Sequence, residues 1–160
     1  MVFLLGVLAE IERENILAQT MAGRNKKAEL GGWNGGFAPY GYKLIKSLEG
    51  TTLEVIESRA RQVRLIFDLV VNQGLGYMPI VQYMNSHGEI RERNENDHNR
   101  QYDDWTNDQV KKILGNPLYT GRIAYGRTKS VLDKKKNKYV RIQTDDYILS
   151  EQVFEPIISD

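Results

Sequence analysis

The sequence predicts an α+β chain, with a long N-terminal helix followed by a mainly helical domain that carries small β-hairpins. Three observations lead there. Apolar residues recur at three- and four-residue steps in segments 57–73, 77–86 and 106–115, the period of amphipathic helices. Runs at 40–46, 52–55, 123–130 and 139–144 are bounded by turn residues and suit strands. Between the first helix and the remainder stands a glycine-rich stretch, 31–39, that marks a break in regular structure.

Bulk properties narrow the function classes. A chain of 160 residues suits one medium domain with an appendage and is long enough to bury a core. Its formal net charge is only +1, so no global field draws it onto a polyanion, and any such attraction must come from local clusters. With no cysteine, disulfides and thiolate metal sites are excluded, which fits a reducing compartment such as the cytoplasm. The apolar opening 1–8 is too short to span a membrane and runs straight into Glu10, Glu12, Arg13 and Glu14, so neither a membrane partner nor a signal peptide is expected.

In chain order, Leu4, Leu8, Ile11, Asn15, Ala18 and Ala22 form the weakly apolar face of a helix over 1–30. Val2, Phe3, Leu5 and Val7 make its first turns apolar nearly all round, which predicts a partner outside the chain, a further domain or another subunit. Arg24, Lys26 and Lys27 crowd its last turns, where cations suit the negative end of the dipole. Gly31 and Gly32 stop it. The arm that follows, 31–39, carries Trp33, Asn34 and Phe37 among glycines. A basic helix end continued by such an arm can follow a phosphate backbone into a groove. The competing reading is a linker with two aromatics tucked onto a neighbour.

A hairpin is expected next, 40–46 against 52–55 around Glu49 and Gly50. In helix 57–73, Ala60, Val63, Phe67, Val70 and Val71 form the inward stripe while Arg59, Arg61 and Arg64 face away. Helix 77–86 offers Ile80, Val81 and Met84 to the core, tolerating Pro79 in its first turn. The polar loop 89–104 ends at Trp105. Helix 106–115 opens with a capping box, Thr106 with Gln109 three residues on. Its Val110, Ile113 and Leu114 turn inward, leaving Asn107, Asp108, Lys111 and Lys112 outside; Asn116-Pro117 then forbids continuation. Strands 123–130 and 139–144 flank a lysine-rich connection, and 153–158 is a short apolar tail.

Helices joined through a loop and followed by a hairpin have the order of a helix-turn-helix with a wing, so the domain is expected to be winged-helix-like. The recognition helix would be 106–115, where Asn107, Lys111 and Lys112, with Gln109 near the edge, are residue types that bond base edges or phosphates. An ordinary amphipathic helix also has a polar outer face. The hairpin concentrates Arg122, Arg127, Lys129, Lys134, Lys135, Lys136, Lys138 and Arg141, which suits phosphate contact; lysines also deter edge pairing of exposed strands. Enzymatic signals are weaker. His87 and His98 have no ligand at metal spacing and read as surface residues. Asp103, Asp104 and Asp108 could hold magnesium for nuclease chemistry, yet Asp108 already suits the first turn of a capped helix. Neither a phosphate-binding glycine loop ending in Gly-Lys-Ser/Thr nor a nucleophile–base pair is visible, so no catalytic residue, metal or cofactor is assigned.

The ordered motifs carry a resemblance. Residues 9–16 (AEIERENI), Gly23-Arg24, Lys27-Ala28, Gly35-Gly36 and Pro39-Tyr40-Gly41-Tyr42 resemble the region of large serine recombinases that joins the long helix of the catalytic domain to the recombinase domain. The likeness continues through residues 63–67 (VRLIF), Trp105, Val110 with Ile113-Leu114, residues 116–121 (NPLYTG) and residues 155–158 (EPII). It implies site-specific DNA recombination of integrase or transposase type, with 1–30 the end of the long helix, 31–39 the arm and 40–160 the recombinase domain. It further implies that double-stranded DNA carrying an attachment half-site is the partner, and that the full-length protein self-associates through the N-terminal helix. The nucleophilic serine would precede Met1, leaving this segment inactive alone. Three departures stand out: the arginine often found near 17–19 is absent, Gly76 stands where a serine or threonine cap is usual, and the loop 91–104 is unusually acidic, which suits a position away from the duplex. The rivals are a free-standing winged-helix regulator and a metal-dependent nuclease using Asp103, Asp104 and Asp108.

Overall fold

The computed structural model describes residues 2–48, 50–92, 104–133 and 136–159, and for residues 2–5 the backbone alone. The chain is α+β, with four α-helices and three two-stranded sheets among the described residues, two of them antiparallel hairpins. It divides into two compact units: 1–34 with 123–151, and 35–122 with 152–160.

In the first unit, α1 (Val2–Glu29) is a single long helix ending at the expected place. Its end is a Schellman closure. The Gly31 N–H donates to the Ala28 carbonyl at 2.9 Å and the Gly32 N–H to the Lys27 carbonyl at 2.8 Å, with Gly31 left-handed at φ 74°. Val7, Leu8, Ile11, Ile16, Leu17 and Met21 are all exposed on α1. The same unit holds a ribbon. The expected strand 123–130 is broken in two, because Gly126 is left-handed at φ 86° and bends the chain. β3 (Arg122–Tyr125) pairs with β6 (Ile148–Gln152), and β4 (Thr128–Asp133) pairs with β5 (Lys138–Gln143). The strand β6 was not legible in the sequence. It is held by Ser150, whose buried hydroxyl accepts the Ile123 N–H at 2.9 Å and donates to the Glu151 carbonyl at 2.7 Å.

In the second unit, β1 (Tyr42–Ser47) pairs with β2 (Gly50–Val55) from Tyr42↔Val55 to Ser47↔Gly50, two residues later in its start than the sequence suggests. The intended turn residue Glu49 lies outside the described residues. Helices α2 (Glu57–Val71), α3 (Tyr77–Ser86) and α4 (Asn107–Leu114) pack on one another. Gly76 caps α3 with no side-chain bond, as its lack of a hydroxyl requires. Ala60, Val63, Ile66, Leu69, Ile80, Met84 and Val110 are fully buried between them. On α2 this corrects part of the stripe: Val71 is 76% exposed, and Ile66 and Leu69 take the interior.

Aromatic side chains extend this core. Tyr42 stacks on Tyr119 (centroids 6.0 Å, 29° between planes) and meets Phe154 edge-on at 5.9 Å. Tyr40 meets Trp105 edge-on at 5.3 Å, and the Tyr40 hydroxyl donates to Gln62. Asn85 clamps the Trp105 backbone, accepting its N–H at 2.8 Å and donating to its carbonyl at 3.1 Å. The Trp105 indole N–H donates to the Glu89 carbonyl at 2.7 Å. Two glycines are sterically required. A Cβ on Gly41 (φ +95) would lie 2.8 Å from Ile157 Cδ1, and one on Gly121 (φ +81) 2.6 Å from the Phe154 carbonyl oxygen. After α4 a 3-10 turn, Pro117–Thr120, is capped by Asn116, whose side-chain oxygen accepts the Leu118 N–H at 3.2 Å.

Candidate nucleic-acid interface

The cations of the chain fall into two electrostatic classes. On α2 each arginine has an acid within the same unit: Arg59 Nε lies 3.1 Å from Glu92, Arg61 is bidentate to Glu89 at 2.7 and 2.9 Å, and Arg64 pairs with Glu57. Hydrogen bonding from Arg61 holds the Glu89 carboxyl below the usual carboxylate range, and Arg64 does the same for Glu57. Arg64 also donates to the Ile157 carbonyl at 3.1 Å, tying down the C-terminal tail. These arginines are internal fastenings.

On α4 the situation is reversed. The capping box closes as expected, the Thr106 N–H donating to Gln109 Oε1 at 2.9 Å, so that Gln109's oxygen serves the helix start. Asn107, Asp108, Lys111 and Lys112 are exposed, and neither lysine has an ion-pair partner among the described residues. Asn107 and Lys111 stand one turn apart on one face, with the Asn107 amide nitrogen against the Met78 sulfur. Burial of Val110 and Ile113 fixes which face points outward.

At the end of α1, Arg24, Lys26 and Lys27 are exposed. The Asn34 amide donates to the Arg24 carbonyl at 2.9 Å, which ties the residue back onto the last turns of α1. The Trp33 indole nitrogen is buried and has no hydrogen-bond partner among the described residues. Gly35 and Gly36 have φ of +96 and +94, and Phe37 is 76% exposed.

The β4–β5 ladder sorts the basic hairpin by face. Its register pairs Thr128↔Gln143, Lys129↔Ile142, Ser130↔Arg141, Val131↔Val140, Leu132↔Tyr139 and Asp133↔Lys138. Directly opposed residues share a face and neighbours along a strand alternate. Lys129 and Lys138 therefore share one face, while Arg141 occupies the other with Thr128, Ser130 and Gln143. Sequence reading treated the hairpin as one basic patch; the missed signal was the alternation, which becomes usable only when the register is known. All these residues except the half-buried Asp133 are exposed, as is Lys136 at the tip. Arg122 is half-buried, Arg127 is exposed with its carbonyl accepting the Thr144 N–H at 3.0 Å, and Lys134 and Lys135 lie outside the described residues.

Other candidates gain no chemistry. His87 stacks on Tyr83 at 4.0 Å and its Nδ1 lies 2.9 Å from the Tyr83 carbonyl, a surface capping arrangement. Among the described residues no three acids or histidines are grouped to hold a metal, and Asp103 and His98 lie outside them. No described helix is long and apolar enough to cross a membrane.

Comparison with known proteins matches these features to a family. The model of the family described as Recombinase matches residues 57–160. A solved structure described as the crystal structure of an LSR–DNA complex is similar in fold, with a TM-score of 0.56 at 22% identity. The similarity covers 89% of this chain and 34% of that one, so this chain spans about a third of its length. The chain belongs to the recombinase family.

Proposed function

We propose that this recombinase-family chain is the DNA-binding segment of a large serine site-specific recombinase and recognises an attachment half-site in double-stranded DNA. One observation carries the reading: the segregation of paired from unpaired cations. Residues 127–143 hold seven cations and one acid in a chain whose net charge is +1, so the remainder is net acidic. The arginines of α2 are neutralised internally, whereas Lys111, Lys112 and the ribbon's Lys129 and Arg141 are left for an external polyanion.

In this reading residues 1–30 are the end of the helix leading from a catalytic domain, 31–39 the arm and 40–160 the recombinase domain. Asn107 and Lys111 approach base edges from α4, assisted by the free amide of Gln109, and Lys112 contacts phosphate. Lys134, Lys135, Lys136 and Lys138 grip the backbone. Arg24, Lys26 and Lys27 hold phosphates where the arm enters a groove with Trp33 and Phe37. Asn34 and the Schellman closure hold the first part of that arm, and in this reading it is 35–38 that orders on DNA. The exposed apolar side chains of α1 suit self-association in the full-length protein, and the cytoplasm is the compartment where such DNA is met. Cutting and joining belong to a serine outside this chain.

Binding to a half-site duplex and to a random duplex across a salt series tests the proposal. The half-site should bind more tightly, and log affinity should fall with log salt by about 0.9 for each phosphate neutralised. Replacing Lys134, Lys135 and Lys136 by alanine should flatten that slope and weaken both duplexes alike. Equal affinity for the two duplexes, or an affinity indifferent to salt, overturns the reading.

A further inference from the structure

The hairpin's cations suit a phosphate clamp, but the register places a second and different surface on the same ribbon. One face carries Lys129, Val131 and Asp133 opposite Ile142, Val140 and Lys138, with an apolar centre and the ribbon's one acid. The other carries Thr128, Ser130 and Leu132 opposite Gln143, Arg141 and Tyr139. That second face has no acid. Its two pairs furthest from the tip consist wholly of hydrogen-bonding side chains, and its Leu132–Tyr139 pair lies next to the lysine-rich tip, with Tyr139 75% exposed.

We infer that this face of the β4–β5 ribbon enters the major groove and reads base edges, with Arg141 and Gln143 as specificity-determining residues and Thr128 and Ser130 beside them. The inference rests on the half-site reading above and extends it, since there the hairpin only holds phosphates. Three physical points support it. The major groove, about 12 Å wide, admits a two-stranded ribbon whose strands lie about 4.8 Å apart. Alternate residues of a strand lie roughly 6.8 Å apart, close to two base-pair rises of about 3.4 Å, so Arg141 and Gln143 come into step with base pairs two steps apart. Arginine is the side chain that pairs bidentately with guanine, glutamine does so with adenine, and an apolar pair such as Leu132–Tyr139 meets a thymine methyl. Arg141 is exposed and has no ion-pair partner among the described residues.

The test uses this chain with half-site and random duplexes of equal length and two variants, Arg141→Lys and Gln143→Ala. Arg141→Lys keeps the charge and removes the fork. Each variant should lower the ratio of half-site to random affinity about tenfold, with random-duplex affinity changed less than about twofold. Selection from a half-site pool with randomised bases should show the preference relaxed at one or two base pairs per variant. If affinities for both duplexes fall in parallel, or the ratio is unchanged while the parent chain still discriminates, the ribbon does not read bases and only this inference fails. If the parent chain itself does not discriminate, the half-site reading fails and takes this inference with it. A change in sedimentation of the free protein caused by either variant would mean that the face holds a second copy of the chain, and would overturn it too.

Discussion

The aromatic core of the second unit and the β4–β5 ribbon of the first use the same residue types to opposite ends. Around Trp105, Tyr40, Tyr42 and Tyr119, apolar and aromatic groups are buried and every phenol or indole among these four finds a hydrogen-bond acceptor. In the ribbon Val131, Leu132, Tyr139, Val140 and Ile142 remain between 37% and 75% exposed, and no residue of β4 or β5 is buried. The first region is where folding free energy is concentrated; the second keeps apolar and cationic surface in water, which is the condition of a surface that works by contact with something else.

Three measurements sharpen that contrast, in falling order of effect. Trp105→Ala removes the edge contact to Tyr40 and the ring buried below the Asn85 clamp. It should cost about 3–5 kcal/mol in denaturant unfolding, and a loss near 1 kcal/mol would show that the core does not centre there. Alkaline pH comes next. Burial pushes the Tyr42 phenol up to about 12 and raises those of Tyr119 and Tyr40 above the usual value. Because the folded state holds these phenols in their neutral form, their contribution is fully present below about pH 10 and is lost as pH rises through about 12. The thermal midpoint should therefore fall across that window, with tyrosinate absorbance rising together with unfolding; a flat midpoint to pH 12 would contradict the burial. The smallest effect belongs to the ribbon. Tyr139→Thr keeps a strand former and should change unfolding free energy by about 0.5 kcal/mol or less, so a loss above about 1.5 kcal/mol would make the ribbon part of a core.

Much of the fold was legible because helices announce themselves locally. The stripe of α4, its Thr106–Gln109 box and its Asn116-Pro117 stop all reappear, as does α3 over its whole length. On α2 the period was legible but its phase slipped towards Val71, because the sequence does not show which side the partner helices occupy. The ribbon was half legible. One long strand was expected where Gly126 makes a bend, and β6 was hidden in a segment whose buried anchor is a serine, a residue type that carries no hydrophobic signal.

The residues that carried the family resemblance turn out to build the architecture. Tyr40 meets Trp105, Tyr42 stacks on Tyr119, Gly41 leaves room for Ile157, and Arg64 donates to the Ile157 carbonyl. The sequence by itself determined the helices, their caps, the fold class and the family, because periodicity, turn chemistry and ordered motifs are properties of short stretches of chain. Only the tertiary structure decided which cations are available and which residues share a face. Arg61 and Glu89 are 28 residues apart yet neutralise each other, and Ser130 joins Arg141 rather than Lys129 or Lys138. Charge pairing and strand register are set by distance in space, and separation along the chain does not encode it.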